Sequence, residues 1–415
     1  MRNTAAATAP SQNGHAAIQT TAPASASGAT TARTTGDLLA IVADAVGMRP
    51  WEVVSSIFGS PREWVPPFAR FSEYKAFDLW HPLQTARTLL NWTLPSVPIA
   101  PPTFGPPLLN DLFYQPTVIL QRPDHAGNHT TFPDEHWFFV NGIMTNSAIA
   151  QLNSAFLSQL FHRPITMIQN STDSFWVDLL QCALGKHWAH MTEPAIVAFP
   201  AIYDALTNPH KQRVVVVAHS QGTIIMANVL NWLYEIVEKA AVPMVAEAGA
   251  PKIMADHYAG PQIIYPDPAK LRLDEFAPLT LAQLRKLEVY CFATCANQLT
   301  YFPGLAGDDG PLPHLEHFAN ERDVVARLGM LAPRGRAHKL DIQGESYIRP
   351  GAKGHFLNQH YLFAIEDAQR LGRRKQPHGG SRPFVQLDGG KPQDANTPRL
   401  YGYINGGAPE DKILS

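Results

Sequence analysis

Three cysteines in 415 residues, Cys182, Cys291 and Cys295, are too few and of the wrong parity for a disulfide framework. They read as buried thiols in a reducing compartment, which places the chain in the cytoplasm. Cys291 and Cys295 stand four apart in "YCFATC", but no second Cys/His pair at zinc spacing follows, so no metal is expected. Charge of one sign is also missing: 33 basic against 35 acidic residues leave a formal net charge of -2, with no block of Lys and Arg. That removes the electrostatic footprint of a nucleic-acid binder. No apolar run reaches the length of a membrane span; "TIIMANVLNWLYEIV" is broken by Asn228 and Asn231 and reads as a buried helix of a soluble protein. Residues 1–37 lack an apolar h-region and nearly all acids, being Ala, Thr, Ser and Pro, and form a low-complexity tail expected to be disordered. Without an export signal, the N-x-[ST] sequons at Asn91, Asn128 and Asn170 carry no meaning.

What remains is ample for a core, since 45% of the residues are hydrophobic. Residues 38–114 are rich in proline and rings, including Trp51, Trp64, Phe68, Phe71, Tyr74, Phe77, Trp80 and Trp92. This composition suits an extension that wraps the main domain, with a lid or acyl-binding surface as the alternative. From residue 115 to 373 strand-like and helix-like patterns alternate. "PTVILQ" and "HWFFVNG" suggest a hairpin or two neighbouring strands. "NSAIAQLNSAFLSQLF", "SFWVDLLQCAL", "AIVAFPAIYDAL" and "FLNQHYLFAIEDAQRL" have helical spacing; "PITMIQ", "KLEVYCFAT" and "HLEHFA" read as strands. The four valines of "RVVVVA" do not alternate with polar residues, as befits a strand covered on both faces. The fold class predicted is α/β, with a doubly wound, mainly parallel sheet. Residues 374–415 read as an irregular tail.

The chemistry is concentrated in "RVVVVAHSQGTIIMANVLNWL", residues 213–233. A nucleophile elbow turns a strand sharply into a helix and needs small residues two before and two after its serine; Ala218 and Gly222 flank Ser220 in that way. As a bare pattern, [GA]-x-S-x-G arises by accident with roughly 30% probability in a chain this long. The valine strand before it and the apolar helix after it supply the context. The backbone N–H of Gln221 is one candidate oxyanion donor, and "WFFVNGIMTN" offers a second from Ile143 or Gly142. A serine of this kind needs an imidazole oriented by an acid, in the chain order Ser, Asp or Glu, His. Asp323, just past a strand, is the leading acid, with Glu321 and Asp308 as alternatives. His355, in the Gly-rich loop of "GAKGHFLNQHYL", is the leading base, with His360 as the alternative. His219 reads as structural, and His314 and His317 as strand residues rather than zinc ligands.

These motifs resemble the α/β-hydrolase superfamily and its lipase-like branch. "VVVVAHSQG" resembles the lipase elbow and "FFVNGI" the strand-plus-glycine oxyanion loop. "NERDVV" resembles the N-x-x-D-x-V stretch that bears the acid in class 3 lipase-like enzymes, and "GH" before a helix resembles the family's histidine loop. The stretch from "HWFFVNGIMTN" to "GHFLNQHYL" also resembles a group of uncharacterised fungal and bacterial hydrolase-like proteins. The likeness spans roughly residues 115–372. It implies a catalytic triad of Ser220, Asp323 and His355, with Gln221 and Ile143 as oxyanion donors and no cofactor. Ala218 stands where the family usually has glycine, and Asn141 where many lipases have histidine. The activity implied is hydrolysis of carboxylic esters, lipid-like ones among them, with transient contact at a lipid surface. An acyltransferase using the same triad, and a non-catalytic binding protein on the same fold, are the alternatives.

Overall fold

A computed structural model describes residues 42–44, 46–59, 70–77, 118–121, 132–142, 147–170, 193–239, 262–264, 271–303, 310–333, 340–371, 383–388, 391–393 and 397–409. Among the described residues twelve strands run in chain order: β1 (Val118–Gln121), β2 (Glu135–Val140), β3 (Ile165–Asn170), β4 (Arg213–His219), β5 (Gln262–Ile264), β6 (Leu287–Phe292), β7 (Gln298–Leu299), β8 (His314–Asn320), β9 (Asp341–Ile342), β10 (Glu345–Arg349), β11 (Val385–Asp388) and β12 (Lys391–Gln393). Ten of them form one sheet, in the order β12-β11-β10-β8-β6-β4-β2-β3-β1-β5, while β7 and β9 pair separately. From β10 across to β3 every neighbouring pair is parallel. The flanks, β1 with β5 on one side and β11 with β12 on the other, are antiparallel. The fold is α/β, with a mostly parallel mixed sheet.

Strand β4 shows why the sequence folds this way. Val214, Val216 and Ala218 point into one core, shared with α3 (Glu193–Thr207) and α4 (Gly222–Lys239). Val215 and Val217 point into the other, shared with α2 (Ser147–Phe161) and with the helical segment that starts at Leu357. That segment opens as a wide π-type turn, Leu357–Leu362, and continues as α5 (Phe363–Leu371). All four valines are fully buried. At about 1.5–3 kcal/mol for each buried aliphatic side chain, both faces drive this strand to the centre.

Three expectations need revision or comment. β1 and β2 are neither a hairpin nor adjacent: β1 lies antiparallel between β3 and β5, and β2 lies parallel between β3 and β4. The reason is burial on both faces, visible in the alternating split of Trp137 and Phe139 from Phe138 and Val140 between the two cores, which draws β2 inward. Residues 383–409, expected to be irregular, contribute β11, β12 and a 3-10 segment, Arg399–Gly406, whose Leu400, Tyr403 and Ile404 enter the main core. Arg399 and Tyr403 bond the buried Glu288 carboxylate at 3.0 and 2.7 Å, an anchoring by single polar contacts that leaves no periodicity to read. The helix expected over "SFWVDLLQCAL", and the residues of the disordered-tail expectation, lie outside the described residues.

The proline- and ring-rich extension is described at 42–59, except 45, and at 70–77. It includes α1 (Pro50–Phe58) and wraps the main domain: Val42, Ala43, Val46, Val53 and Ile57 join the core on the α2 face, and Phe71 stacks on Phe156 at 5.1 Å. It will be called the strap.

Candidate active site

Parallel strands place their carboxyl ends on one edge of a sheet, and open α/β sheets collect their chemistry there. Along that edge β2 delivers Asn141 and Gly142, β4 delivers Ser220, β8 leads to Asp323 and β10 leads to His355. At the end of β4 the chain reverses into α4 through Ser220, whose φ of 58° is a left-handed value that a non-glycine residue holds only when its surroundings enforce it. Ser220 N–H donates to Phe292 O at 2.9 Å, and its carbonyl accepts from both Thr223 N–H and Thr223 Oγ1–H, at 2.9 and 2.7 Å. The turn passes so close to β2 that a Cβ on residue 222 would stand 2.4 Å from Val140 O, so Gly222 is required by contact with backbone.

The three polar residues expected to work together are hydrogen-bonded in series. His355 Nε2 lies 3.0 Å from Ser220 Oγ, and His355 Nδ1 lies 2.9 and 3.2 Å from the two Asp323 oxygens. A carboxylate only accepts, so Nδ1 carries the proton, and Nε2 is left to accept the serine O–H. Ser220 and Asp323 are 0% exposed and His355 is 1% exposed. Asp323 is held further by Val325 N–H at 2.9 Å and by Tyr361 O–H at 2.6 Å. An imidazole fixed in this way can take the serine proton as the oxygen attacks an electrophile.

The other candidates fall elsewhere. His360 makes no bond to the serine: its Nδ1 accepts Phe356 N–H at 2.9 Å, and its Nε2 faces Tyr74 Oη at 3.0 Å, where the tyrosine hydrogen goes on to Phe58 O. Burial, with the Arg349 and His355 charges, pushes its pKa down to about 3, so it stays neutral. Glu321 accepts Gly351 N–H at the surface. Asp308 and Ile143 lie outside the described residues. Gly142 sits directly over the serine, where a Cβ would stand 2.3 Å from Ser220 Cβ. Gln221 follows Ser220 at the amino end of α4, where its backbone N–H belongs to the helix terminus. Asn141 donates from its side-chain amide to Gly142 O at 3.0 Å. His314 and His317 are β8 residues; His317 bridges Thr294 Oγ1 and Gln343 O, both at 2.9 Å. Among the described residues there is no group of three or more His, Cys, Asp or Glu side chains that could hold a metal, and no helix long and apolar enough to cross a membrane. Cys291 and Cys295 are buried.

Several residues that shape the site carry roles the sequence did not assign. Tyr361 is one; it lies six positions after His355, inside an apolar helix pattern that explains it as core. His219, read from the sequence as structural, stands next to Ser220 and donates through Nε2 to His355 O at 2.9 Å, with the two rings 4.7 Å apart. Burial and the neighbouring His355 hold its pKa well below the usual histidine range. Strap residues are the third group. Ser56 O and Ile57 O accept the N–H groups of Gly354 and His355 at 2.8 and 3.0 Å, contacts made by backbone alone and so invisible in side-chain identity. Comparison of the chain with protein-family models, with curated proteins and with solved structures finds no match.

Proposed function

We propose that the chain is a serine hydrolase of carboxylic esters, built on a doubly wound α/β-hydrolase fold. The observation that carries this reading is the series Ser220 Oγ, His355 Nε2, His355 Nδ1, Asp323, with every link between 2.9 and 3.2 Å, at the carboxyl edge of the parallel strands. The chain order Ser, Asp, His agrees with that of α/β-hydrolases, as does a serine on a strained strand-to-helix turn. Ser220 Oγ attacks the ester carbonyl carbon while its proton passes to His355 Nε2. The imidazolium so formed is stabilised by Asp323, and the oxyanion by the N–H of Gln221 with that of Ile143 or Gly142. Collapse breaks the C–O bond and the leaving alcohol takes the proton from Nε2, leaving an acyl-Ser220 ester. Water, deprotonated by His355, attacks that ester and releases the acid and the free serine. No metal or cofactor enters any step.

Lipid-like esters are the favoured class. Trp51 and Val54, one turn apart on α1, are 61% and 39% exposed and offer the apolar contact that transient binding at a lipid surface uses. A fluorophosphonate probe tests the central claim: wild type is labelled at one serine and Ser220→Ala is not. A folded wild type that resists labelling, or labelling that survives Ser220→Ala, refutes the reading.

A further inference from the structure

Glu73 is a buried carboxylate that the ester chemistry does not use. It sits on the strap, in a 3-10 turn, Glu73–Phe77, and its two oxygens accept the backbone N–H groups of Asn358 and Gln359 at 2.6 and 2.9 Å. Those amides belong to the first turn of the helical segment that begins at Leu357, immediately after the His355–Phe356 pair. A helix start presents N–H groups with no partner of their own, and here the N-cap residue is Phe356, whose side chain makes no capping bond. The acceptor comes instead from a residue 285 positions earlier.

The same strap grips the other side of His355. Ile57 O takes the His355 N–H and Ser56 O the Gly354 N–H. Ser72 Oγ–H donates to Gln359 Oε1 at 2.6 Å, and Tyr74 Oη meets His360 Nε2 at 3.0 Å. The base is therefore bracketed by strap contacts on the residue before it, on its own amide, and on the third, fourth and fifth residues after it. Stability alone is a poor account of Glu73. Burial outweighs its backbone hydrogen bonds and raises its pKa from 4.5 to about 7, so folding disfavours the charged form. The place of this buried carboxyl is accounted for by geometry, since its two oxygens meet two helix-start amides that have no acceptor of their own.

We propose that Glu73 is a positioning residue for His355: by accepting the Asn358 and Gln359 amides it fixes the start of the helix behind the imidazole and so sets the Ser220–His355 contact, making the strap a working part of the catalytic centre. This rests on the serine-hydrolase reading. The helix cannot slide or tilt without carrying Phe356 and His355 with it, and displacements near 1 Å at a catalytic contact cost on the order of 100-fold in rate.

The test is Glu73→Gln, which keeps the volume and one carbonyl acceptor but turns an NH2 toward the second amide. Active sites are titrated with a fluorophosphonate and turnover is followed with p-nitrophenyl butyrate. The expected result is a fall in kcat per titrated site of about 10- to 100-fold, with KM within about twofold because no substrate contact is touched. Glu73→Asp, which keeps the charge but is one methylene short of spanning both amides, shows the same fall and serves if Glu73→Gln does not fold. A Glu73 variant whose titrated sites turn over at the wild-type rate, with only the titratable fraction reduced, overturns the inference and leaves the hydrolase reading standing. A wild type that the probe does not label overturns both.

Discussion

Replacing Gly142 by alanine puts one methyl group at the point where two strand ends meet. An ideal Cβ there would stand 2.3 Å from Ser220 Cβ, 2.6 Å from His219 O and 3.0 Å from Ser220 Oγ. Carbon atoms rest at about 3.5–4.0 Å, so a separation of more than 1 Å has to open. The serine side cannot yield cheaply. Its backbone is already at a φ of 58°, its N–H is bonded to Phe292 O, its Oγ is bonded to His355, and the His219 ring is tied to His355 O. The movement therefore falls on the Asn141–Gly142 segment, which carries the expected oxyanion donor, or on the serine itself. Overpacking of this kind costs about 1–3 kcal/mol of stability. The kinetic cost is larger, on the order of 100-fold, because the displacement lies at the reacting atoms. Rates of fluorophosphonate labelling and of p-nitrophenyl ester hydrolysis, with urea unfolding in parallel, separate the two effects. Gly310→Ala is the control: its Cβ meets nothing within 4 Å, so any cost there comes from its φ of 68° and not from a clash, whereas Gly142 has no positive φ and its cost is the clash alone. If Gly142→Ala labels as fast as Gly310→Ala, the end of β2 does not face the serine and the oxyanion assignment falls with it.

Asp323→Asn should leave the chain folded and lower kcat by roughly 1,000- to 10,000-fold, since an amide can hold the wrong imidazole tautomer; a loss under tenfold in steady-state hydrolysis removes Asp323 from the mechanism. Tyr361→Phe takes one charge-assisted donor from Asp323 and should cost about 1.5–3 kcal/mol in urea unfolding; an unchanged midpoint contradicts the bond. Acid should destabilise the fold through its buried neutral histidines. Folding depresses His360 from 6.5 to about 3 and His317 from 6.5 to about 4, and lowers His219 in the same direction. Stability from these groups is present above pH 6.5 and is lost as pH falls toward those values, on the order of 3 kcal/mol each for His360 and His317. Glu73 opposes this, because its folded pKa is raised, so its contribution grows as pH drops from about 7 to 4.5. Asp204, raised from 3.8 to about 6 by burial, opposes it in the same way, but three histidines outweigh two carboxyls and the urea midpoint should decline between pH 6.5 and 4; a flat profile excludes neutral burial of these imidazoles.

The parts of this fold that the sequence announces are those whose physics is local. Burial on both faces wrote four valines into β4, and the steric demand of the turn wrote Ala218 and Gly222 around Ser220. Helical periodicity marked α2, α3 and α4 for the same reason. The strand partners of β1 were not legible, because pairing is decided by which strand is most buried, and "PTVILQ" and "HWFFVNG" look alike in isolation. The tail around Arg399 was missed because its anchors, Glu288 and Glu316, lie on strands more than 80 residues away and the contacts are a few polar bonds with no periodicity. Tyr361 was hidden by its apolar neighbours: its ring belongs to the core and only its hydroxyl belongs to the site.

The histidines show how environment sorts chemically identical groups. His219, His355 and His360 interact with one another, and all three are buried. Burial alone favours neutral imidazole, which is useless as a base unless something stabilises the cation that proton transfer creates. His219 spends its Nε2 proton on a carbonyl, and its Nδ1 has no partner among the described residues. His360 spends both nitrogens on Phe356 and Tyr74 and has the Arg349 charge against protonation. His355 alone has a carboxylate on Nδ1 and a hydroxyl on Nε2. The two neutral rings are not idle: one holds the carbonyl of His355, and the other ties the helix that follows it to Tyr74 of the strap. One imidazole is thus equipped to take a proton, and two are kept neutral in order to aim it.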